Sequence, residues 1–242
     1  MHLLTAFLAI GLACIHLLSG KLNFLDAIPR SRWLSSAGGV SVAYVFIHLL
    51  PELSERQHAF DQVSGVVTYL ENHIYLVALV GLSVFYGLER AALRSRRSNR
   101  RAGKEDATGT GVFWIHIFAF TCYNALIGYL LVQRQEAFLS TVLYAIAMGL
   151  HFVVNDHGLR ENHKRDYDRI GRWILAIAIV IGFVIGQATK IDDLALSILF
   201  AFLAGGVILN ILKEELPEER ESRFWAFALG AISYTMLLLL AD

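Results

Sequence analysis

The sequence predicts an all-α protein that crosses a membrane several times. Hydrophobic residues make up 56% of its 242 residues and charged residues only 17%, and the mean hydropathy is +0.52. Such a composition is too apolar for a soluble domain of this length. The apolar runs are also continuous rather than alternating, which favours transmembrane helices over the strands of a barrel.

Eight apolar windows are long enough to cross or nearly cross the hydrocarbon core. The first lacks a basic start and a small-residue cleavage site, so it is interpreted as a helix and not as a signal peptide. We expect one transmembrane domain over residues 1–242, with a flexible cytoplasmic loop at about 94–110. The windows are residues 3–19, 34–51, 73–92, 111–133, 138–156, 169–188, 194–213 and 223–241.

The basic residues alternate along the chain and predict the orientation of these helices. The segments that follow windows one, three, five and seven carry all but three of the 21 Lys and Arg residues, the exceptions being Arg56, Arg134 and Lys190. Basic loops stay in the cytoplasm, so both termini are expected on the extracytoplasmic side. By the same argument the basic run 94–104 is interpreted as a topogenic loop and not as a nucleic-acid site.

A sequence repeat suggests how the helices are arranged. Residues 37–52 and 204–218 both begin with Ala-Gly-Gly-Val and end with Leu-Pro-Glu. Under the predicted orientation the two segments run in opposite directions through the bilayer. An inverted repeat of this kind is typical of secondary transporters. We therefore expect helices 1–3 and 6–8 to form two inverted halves around helices 4 and 5.

The candidate site residues lie on helices 4 and 5. His151 and Asn155 are four residues apart and share one helix face, and His116 and Asn124 lie two turns apart on one stripe. A simpler interpretation is hydrogen bonding between helices, worth roughly 1 kcal/mol per bond. Asp156 is expected at the cytoplasmic interface as a solvated helix end, because a charge at the bilayer centre is costly.

Four short motifs resemble the ZIP (Zrt/Irt-like protein) family of divalent metal transporters. They are His48-Leu-Leu-Pro-Glu52, Asn124-Ala-Leu-Ile-Gly128, His151-Phe-Val-Val-Asn155-Asp156 and Leu216-Pro-Glu218. The resemblance implies eight helices, two extracellular termini and a metal site on helices 4 and 5.

The metal motifs of this chain are incomplete relative to that family. Tyr123 and Ile127 stand where helix 4 of the family has an imidazole and a carboxylate, and Phe152 replaces a carboxylate on helix 5. Zinc and similar ions need about four ligands, and amides bind them weakly. The resemblance therefore implies at most a reduced, mononuclear site. Its predicted core is His151, Asn155 and Asn124, with contributions from His116, Thr121, Cys122 or Asp156.

Three functions remain open from the sequence. The first is a carrier of divalent cations, with zinc as the expected ion, that is not an enzyme and has no resident cofactor. The second is a membrane protein that keeps the fold but has lost metal transport and acts in binding or regulation. The third and weakest is a metal hydrolase that uses His151, Asp156, His157 and His163. The expected partners are the lipid bilayer and the metal ion. Nucleic acid is not expected, and a homodimer is left open.

Overall fold

The protein is all-helical in the part of the chain that can be described. The structure is a computed structural model, and it describes residues 2–21, 32–60, 73–133, 138–215 and 223–241. No strand occurs within these ranges. The helices are α1 (His2–Leu18), α2 (Arg32–Tyr44), α3 (Leu50–Phe60), α4 (Ile74–Arg101), α5 (Thr110–Gln133), α6 (Phe138–Asp166), α7 (Arg172–Ala188), α8 (Asp193–Glu215) and α9 (Phe224–Ala241).

The apolar windows of the sequence fall on these helices. Two apolar helices, His2–Leu18 and Phe224–Leu240, are shorter than the segments that are long enough to cross a membrane. Large apolar side chains such as Phe7, Phe118 and Leu240 are exposed on the outside of the bundle, as lipid-facing residues are. The fold is therefore that of a helical membrane protein, as the composition predicted. Five helical segments are long and apolar enough to cross a membrane: Ser35–Gln57, Ile74–Arg101, Thr110–Gln133, Phe138–Ala188 and Asp193–Lys213.

A π-helical turn, Val45–Leu49, joins α2 to α3 without a break. In this turn the N–H of Leu50 donates to the carbonyl of Val45, five residues back. Pro51 follows at once, and it has no N–H to continue the ordinary pattern. The wider turn therefore accommodates the proline without ending the helix.

The structure differs from the prediction at the flexible loop of residues 94–110. Residues 94–101 are instead the last turns of α4, since arginine favours helices. The helix ends at Arg101, and Gly103, two residues later, has a φ of +68°. The N–H of Lys104 donates to the carbonyl of Asn99 at 2.9 Å, the six-to-one bond typical of a glycine-capped helix end.

The end of α6 also differs from the prediction. The sequence predicted a helix up to residue 156 and a polar loop after it, whereas α6 continues to Asp166. It is followed directly by a π-helical turn, Tyr167–Gly171, and by α7. The side chains of Asn162 and His163 are buried, so tertiary packing keeps this polar stretch helical. Lys164 has φ 47° and ψ −120°, which marks a kink.

Glycines allow three pairs of helices to approach closely: α5 with α7, α4 with α8, and α2 with α9. Both helices of each pair contribute a glycine whose missing side chain leaves room for a carbonyl oxygen of the partner. A Cβ atom added to Gly128 would lie 2.2 Å from the carbonyl oxygen of Ile179, and one added to Gly182 would lie 1.8 Å from that of Ala125. The corresponding glycines are Gly81 and Gly205 in the α4–α8 pair, and Gly39 and Gly230 in the α2–α9 pair.

Helix α6 lies at the centre of the bundle. It contacts α1, α2, α4, α5, α8 and α9. Its buried residues include polar ones along most of its length, from Thr141 to His163. Each buried polar group needs a partner on a neighbouring helix, so α6 determines where the polar interior of the protein lies.

Candidate functional site

Helix α1 contributes a histidine to the interior of the bundle. Its buried face consists of Thr5, Ala9, Leu12, Ala13 and His16, which recur at helical spacing. The small side chains on this face let α1 pack against α6 and α7. His16 is consequently fully buried and points towards α5 and α6.

His16, Asn124 and Asp156 form a polar centre in which three helices meet. The Nδ1 atom of His16 lies 2.8 Å and 2.9 Å from the two carboxylate oxygens of Asp156. Its Nε2 atom lies 2.9 Å from the amide oxygen of Asn124. All three side chains have no solvent exposure. Asp156 is therefore not the solvated helix end that the sequence suggested, because His16 compensates its burial.

The orientation of the Asn124 amide determines where one proton lies. Its Nδ2 atom donates to the carbonyl of Phe120 at 2.7 Å, which turns the amide oxygen towards His16. An amide oxygen only accepts hydrogen bonds, so Nε2 of His16 is the donor. The contact between Nδ1 and Asp156 holds a second proton, which the two groups share. In the polar centre, the imidazole of His16 thus forms hydrogen bonds to both the carboxylate of Asp156 and the amide of Asn124.

His151 and Asn155 lie near this centre without joining it through a hydrogen bond. Nε2 of His151 lies 2.7 Å from the hydroxyl of Tyr123, on α5. Asn155 is buried, and its Nδ2 atom has no hydrogen-bond partner. The buried hydroxyl of Tyr167 also lies near Asp156, without a hydrogen bond to it.

The remaining predicted site residues lie elsewhere. His116 pairs with His163, with 2.9 Å between Nδ1 and Nε2, and His163 also bonds to Thr108. The hydroxyl of Thr121 donates to the carbonyl of Ile117 at 2.6 Å, and Cys122 is exposed on the outside of α5. Two of the histidines proposed for a hydrolase have different partners, since His151 bonds to Tyr123 and His163 to Thr108.

A network of charged residues surrounds the His116–His163 pair at the end of α4. Arg96 donates to Asn162 at 3.1 Å and to Asp106 at 3.1 Å, and Arg100 donates to Asp106 at 3.0 Å. The hydrogen bond from Arg96, with that from Arg100, lowers the pKa of Asp106 below its usual value. Because Arg96 bonds to both Asp106 and Asn162, the network connects the segment after α4 to the end of α6.

The described residues contain no group of three or more His, Cys, Asp or Glu side chains that could hold a metal ion. No protein-family model matches the chain, and no curated protein and no solved structure matches it either.

The sequence prediction brought Asn124 and Asp156 into one candidate site but missed His16. One signal in the sequence could have pointed to it. His16 continues a stripe of small residues on α1, where side chains pack tightly and a large polar group needs a partner. Its partners lie 108 and 140 residues further along the chain, so no local pattern names them.

Proposed function

We propose that this protein is a ZIP-like carrier of divalent metal cations whose cation path passes the polar centre of His16, Asn124 and Asp156. The observation that supports the proposal is the convergence of these three side chains in the interior of a membrane bundle. Ionisable groups are costly at such a depth, and they commonly mark ion pathways. Two of the three residues, Asn124 and Asp156, belong to the motifs that resemble the ZIP family.

The chemistry of the polar centre suits a borderline divalent cation such as zinc. Imidazole nitrogen and carboxylate oxygen are common ligands of such ions, and the amide oxygen of Asn124 holds the opposite ring nitrogen of His16. Metal ligands bind in their deprotonated forms, so a cation would take the place of the proton that His16 and Asp156 share. Fewer than four strong ligands favour release as well as binding, which a carrier needs.

The proposed scaffold has eight spans in two inverted halves, which the helix pairing supports. Both termini are proposed on the extracytoplasmic side from the distribution of the basic residues. In the proposed repeat, α2 with α3 corresponds to α8, and α4 corresponds to α9. The α2–α9 contact then corresponds to the α8–α4 contact. A glycine of each repeat segment lies at it, the second glycine of the Ala-Gly-Gly-Val motif in one segment and the first in the other. A Cβ atom on Gly39 would lie 2.1 Å from the Phe227 oxygen, and one on Gly205 would lie 1.9 Å from the Ala78 oxygen.

The π-helical turn provides a second argument for the repeat. The segment from Ala37 to Pro51 is one residue longer than the segment from Ala204 to Pro217. A π-helical turn is a way for a helix to absorb one additional residue without ending. Val45–Leu49 is such a turn, and it lies inside the longer segment.

A second candidate function is a binding or regulatory protein that keeps this fold without transporting metal. It is favoured by the lack, among the described residues, of any cluster of three His, Cys, Asp or Glu side chains suited to a metal. The polar centre would then serve as a buried hydrogen-bonded junction of α1, α5 and α6.

Uptake of divalent ions into liposomes that contain the purified protein distinguishes the two functions. The ions to test are zinc, manganese, iron, cobalt and cadmium. The variant His16→Ala removes the imidazole of the polar centre, and Asp156→Asn keeps its shape but removes its charge. His2→Ala is the matched control, because His2 lies on the same helix and is exposed.

For the carrier, we expect saturable uptake of at least one ion by the wild type and by His2→Ala. Uptake should fall at least tenfold in His16→Ala and Asp156→Asn. If folded wild-type protein takes up none of the ions, the carrier is rejected in favour of the binding or regulatory function. Uptake that is equal in all four proteins would show that the path avoids the polar centre.

A further inference from the structure

A second site lies on the other side of Tyr123 from the polar region. It is a cavity of about 320 Å³ between α4, α5, α7 and α8. Phe85, Tyr123 and Leu203 line its inner part, and Leu199 and Ile185 line it nearer the outside. The last two side chains are exposed, so the cavity opens sideways towards the hydrocarbon of the membrane.

The wall of the cavity offers almost nothing to a polar ligand. No charged side chain lines it, and the hydroxyls of its two tyrosines are already bonded. Tyr123 contacts His151 at 2.7 Å, and the Tyr129 oxygen accepts the N–H of Ile191 at 2.8 Å. The remaining polar group is the thiol of Cys122, a weak donor. A water molecule needs two to four polar partners, so neither water nor a cation is stable here.

The depth of the cavity matches one leaflet of a bilayer. Along α5 it extends from Ala119 to Tyr129, which is about 15 Å at the helical rise of 1.5 Å per residue. The hydrocarbon core of a bilayer is about 30 Å thick, so the cavity spans about half of it. Its outer end is at Ile191, in the turn between α7 and α8. Helix ends of this kind lie at the level of the lipid headgroups.

Charges of both signs are exposed beside this outer end. Lys190 immediately precedes Ile191, and Asp192 and Asp193 follow it, all three with exposed side chains. A cation and an anion so placed complement the phosphate and the ammonium of a zwitterionic headgroup. We infer that the cavity binds one acyl chain of a zwitterionic phospholipid, phosphatidylethanolamine being the simplest, with its headgroup at the α7–α8 turn.

The bound chain has a structural consequence for the neighbouring polar region. It packs against the ring of Tyr123, whose hydroxyl contacts His151 on the opposite side. Tyr123 is thereby held between hydrocarbon and imidazole. This lipid site does not depend on cation transport, and it can be tested independently.

The test uses phosphatidylethanolamine with a photoreactive diazirine on its acyl chain, in vesicles that contain the full-length protein. After irradiation and digestion, mass spectrometry locates the lipid adducts. We expect adducts to concentrate on the cavity-lining parts of α5, α7 and α8, at least fivefold above α1, where Phe7 and Ile10 are exposed to lipid and do not line this cavity. Equal labelling of α1 would overturn the inference, and this comparison needs no substitution.

The two cysteines provide a matched pair of variants. Both are exposed on apolar helices, but Cys122 lines the cavity and Cys14 does not. Cys122→Trp should fill the cavity and reduce the adducts at least fivefold, whereas Cys14→Trp should leave them unchanged. Undiminished labelling of the cavity in Cys122→Trp would contradict the inference. So would labelling by a photoreactive free fatty acid but not by the phospholipid.

Discussion

Removal of His16 should destabilise the protein far more than removal of any exposed histidine. The variant His16→Ala leaves the buried carboxylate of Asp156 without its partner, and breaking a buried ion pair from one side costs about 3–5 kcal/mol. It also leaves the amide oxygen of Asn124 unsatisfied, which adds about 1–3 kcal/mol. Some loss of folded protein is therefore expected at neutral pH.

The double variant His16→Ala/Asp156→Ala separates the ion pair from the packing. Its cost should be smaller than the sum of the two single costs by about 2–3 kcal/mol, because the double variant no longer buries an unpaired charge. The free energy of unfolding is measured by denaturation with sodium dodecyl sulfate in mixed micelles, followed by the fluorescence of the four tryptophans. His2→Ala is the control and should remain within about 0.5 kcal/mol of wild type.

Two results would contradict an interaction between His16 and Asp156 in the folded protein. One is a cost of less than about 1 kcal/mol for His16→Ala, below the range for a broken buried pair. The other is simple additivity of the single variants, which would mean that His16 and Asp156 do not interact in the folded protein.

Three further predictions concern packing, backbone strain and pH. Gly182→Ala should cost about 1–3 kcal/mol, because its Cβ would lie 1.8 Å from the Ala125 oxygen. Gly11→Ala, with no atom within 4 Å, should instead be neutral or stabilise α1 by about 0.5–1 kcal/mol in the same assay; equal effects would count against close packing of α5 and α7. Lys164→Gly should stabilise the protein by about 1 kcal/mol, since Lys164 is the one non-glycine residue with positive φ in the described ranges. The exposed Lys190→Gly should be slightly destabilising, and a loss of stability in both variants would argue against the strain. The pKa of Asp106 is lowered in the folded protein, so its contribution to stability is present above the ordinary aspartate value of about 4 and is lost as the pH falls through the folded pKa. Hydrogen exchange of residues 102–109 should therefore rise on acidification below about pH 4 in the wild type, relative to the intrinsic rate, and much less in Asp106→Asn; the same acid response in both proteins would exclude this role for Asp106.

The sequence by itself determined the class of the protein. Long apolar runs require helices in a membrane because backbone groups have no other partners there, and this depends on composition and not on the neighbouring helices. The same local reasoning placed Asn124 and Asp156 among the candidate site residues. It also marked the repeated Ala-Gly-Gly-Val segments, whose glycines Gly39 and Gly205 lie at close helix contacts.

Tertiary structure decided which polar residues meet. The hydrogen bonds of His16 join residues 108 and 140 positions apart, and they depend on how α1 packs against α5 and α6. That packing also explains why Asp156 and His163 are buried, where local polarity suggested a helix end and a loop. A periodic pattern in the sequence shows which residues share a helix face. Which helix packs against that face depends on the shapes and polar groups of all the helices in the bundle, and these come together only in the tertiary structure.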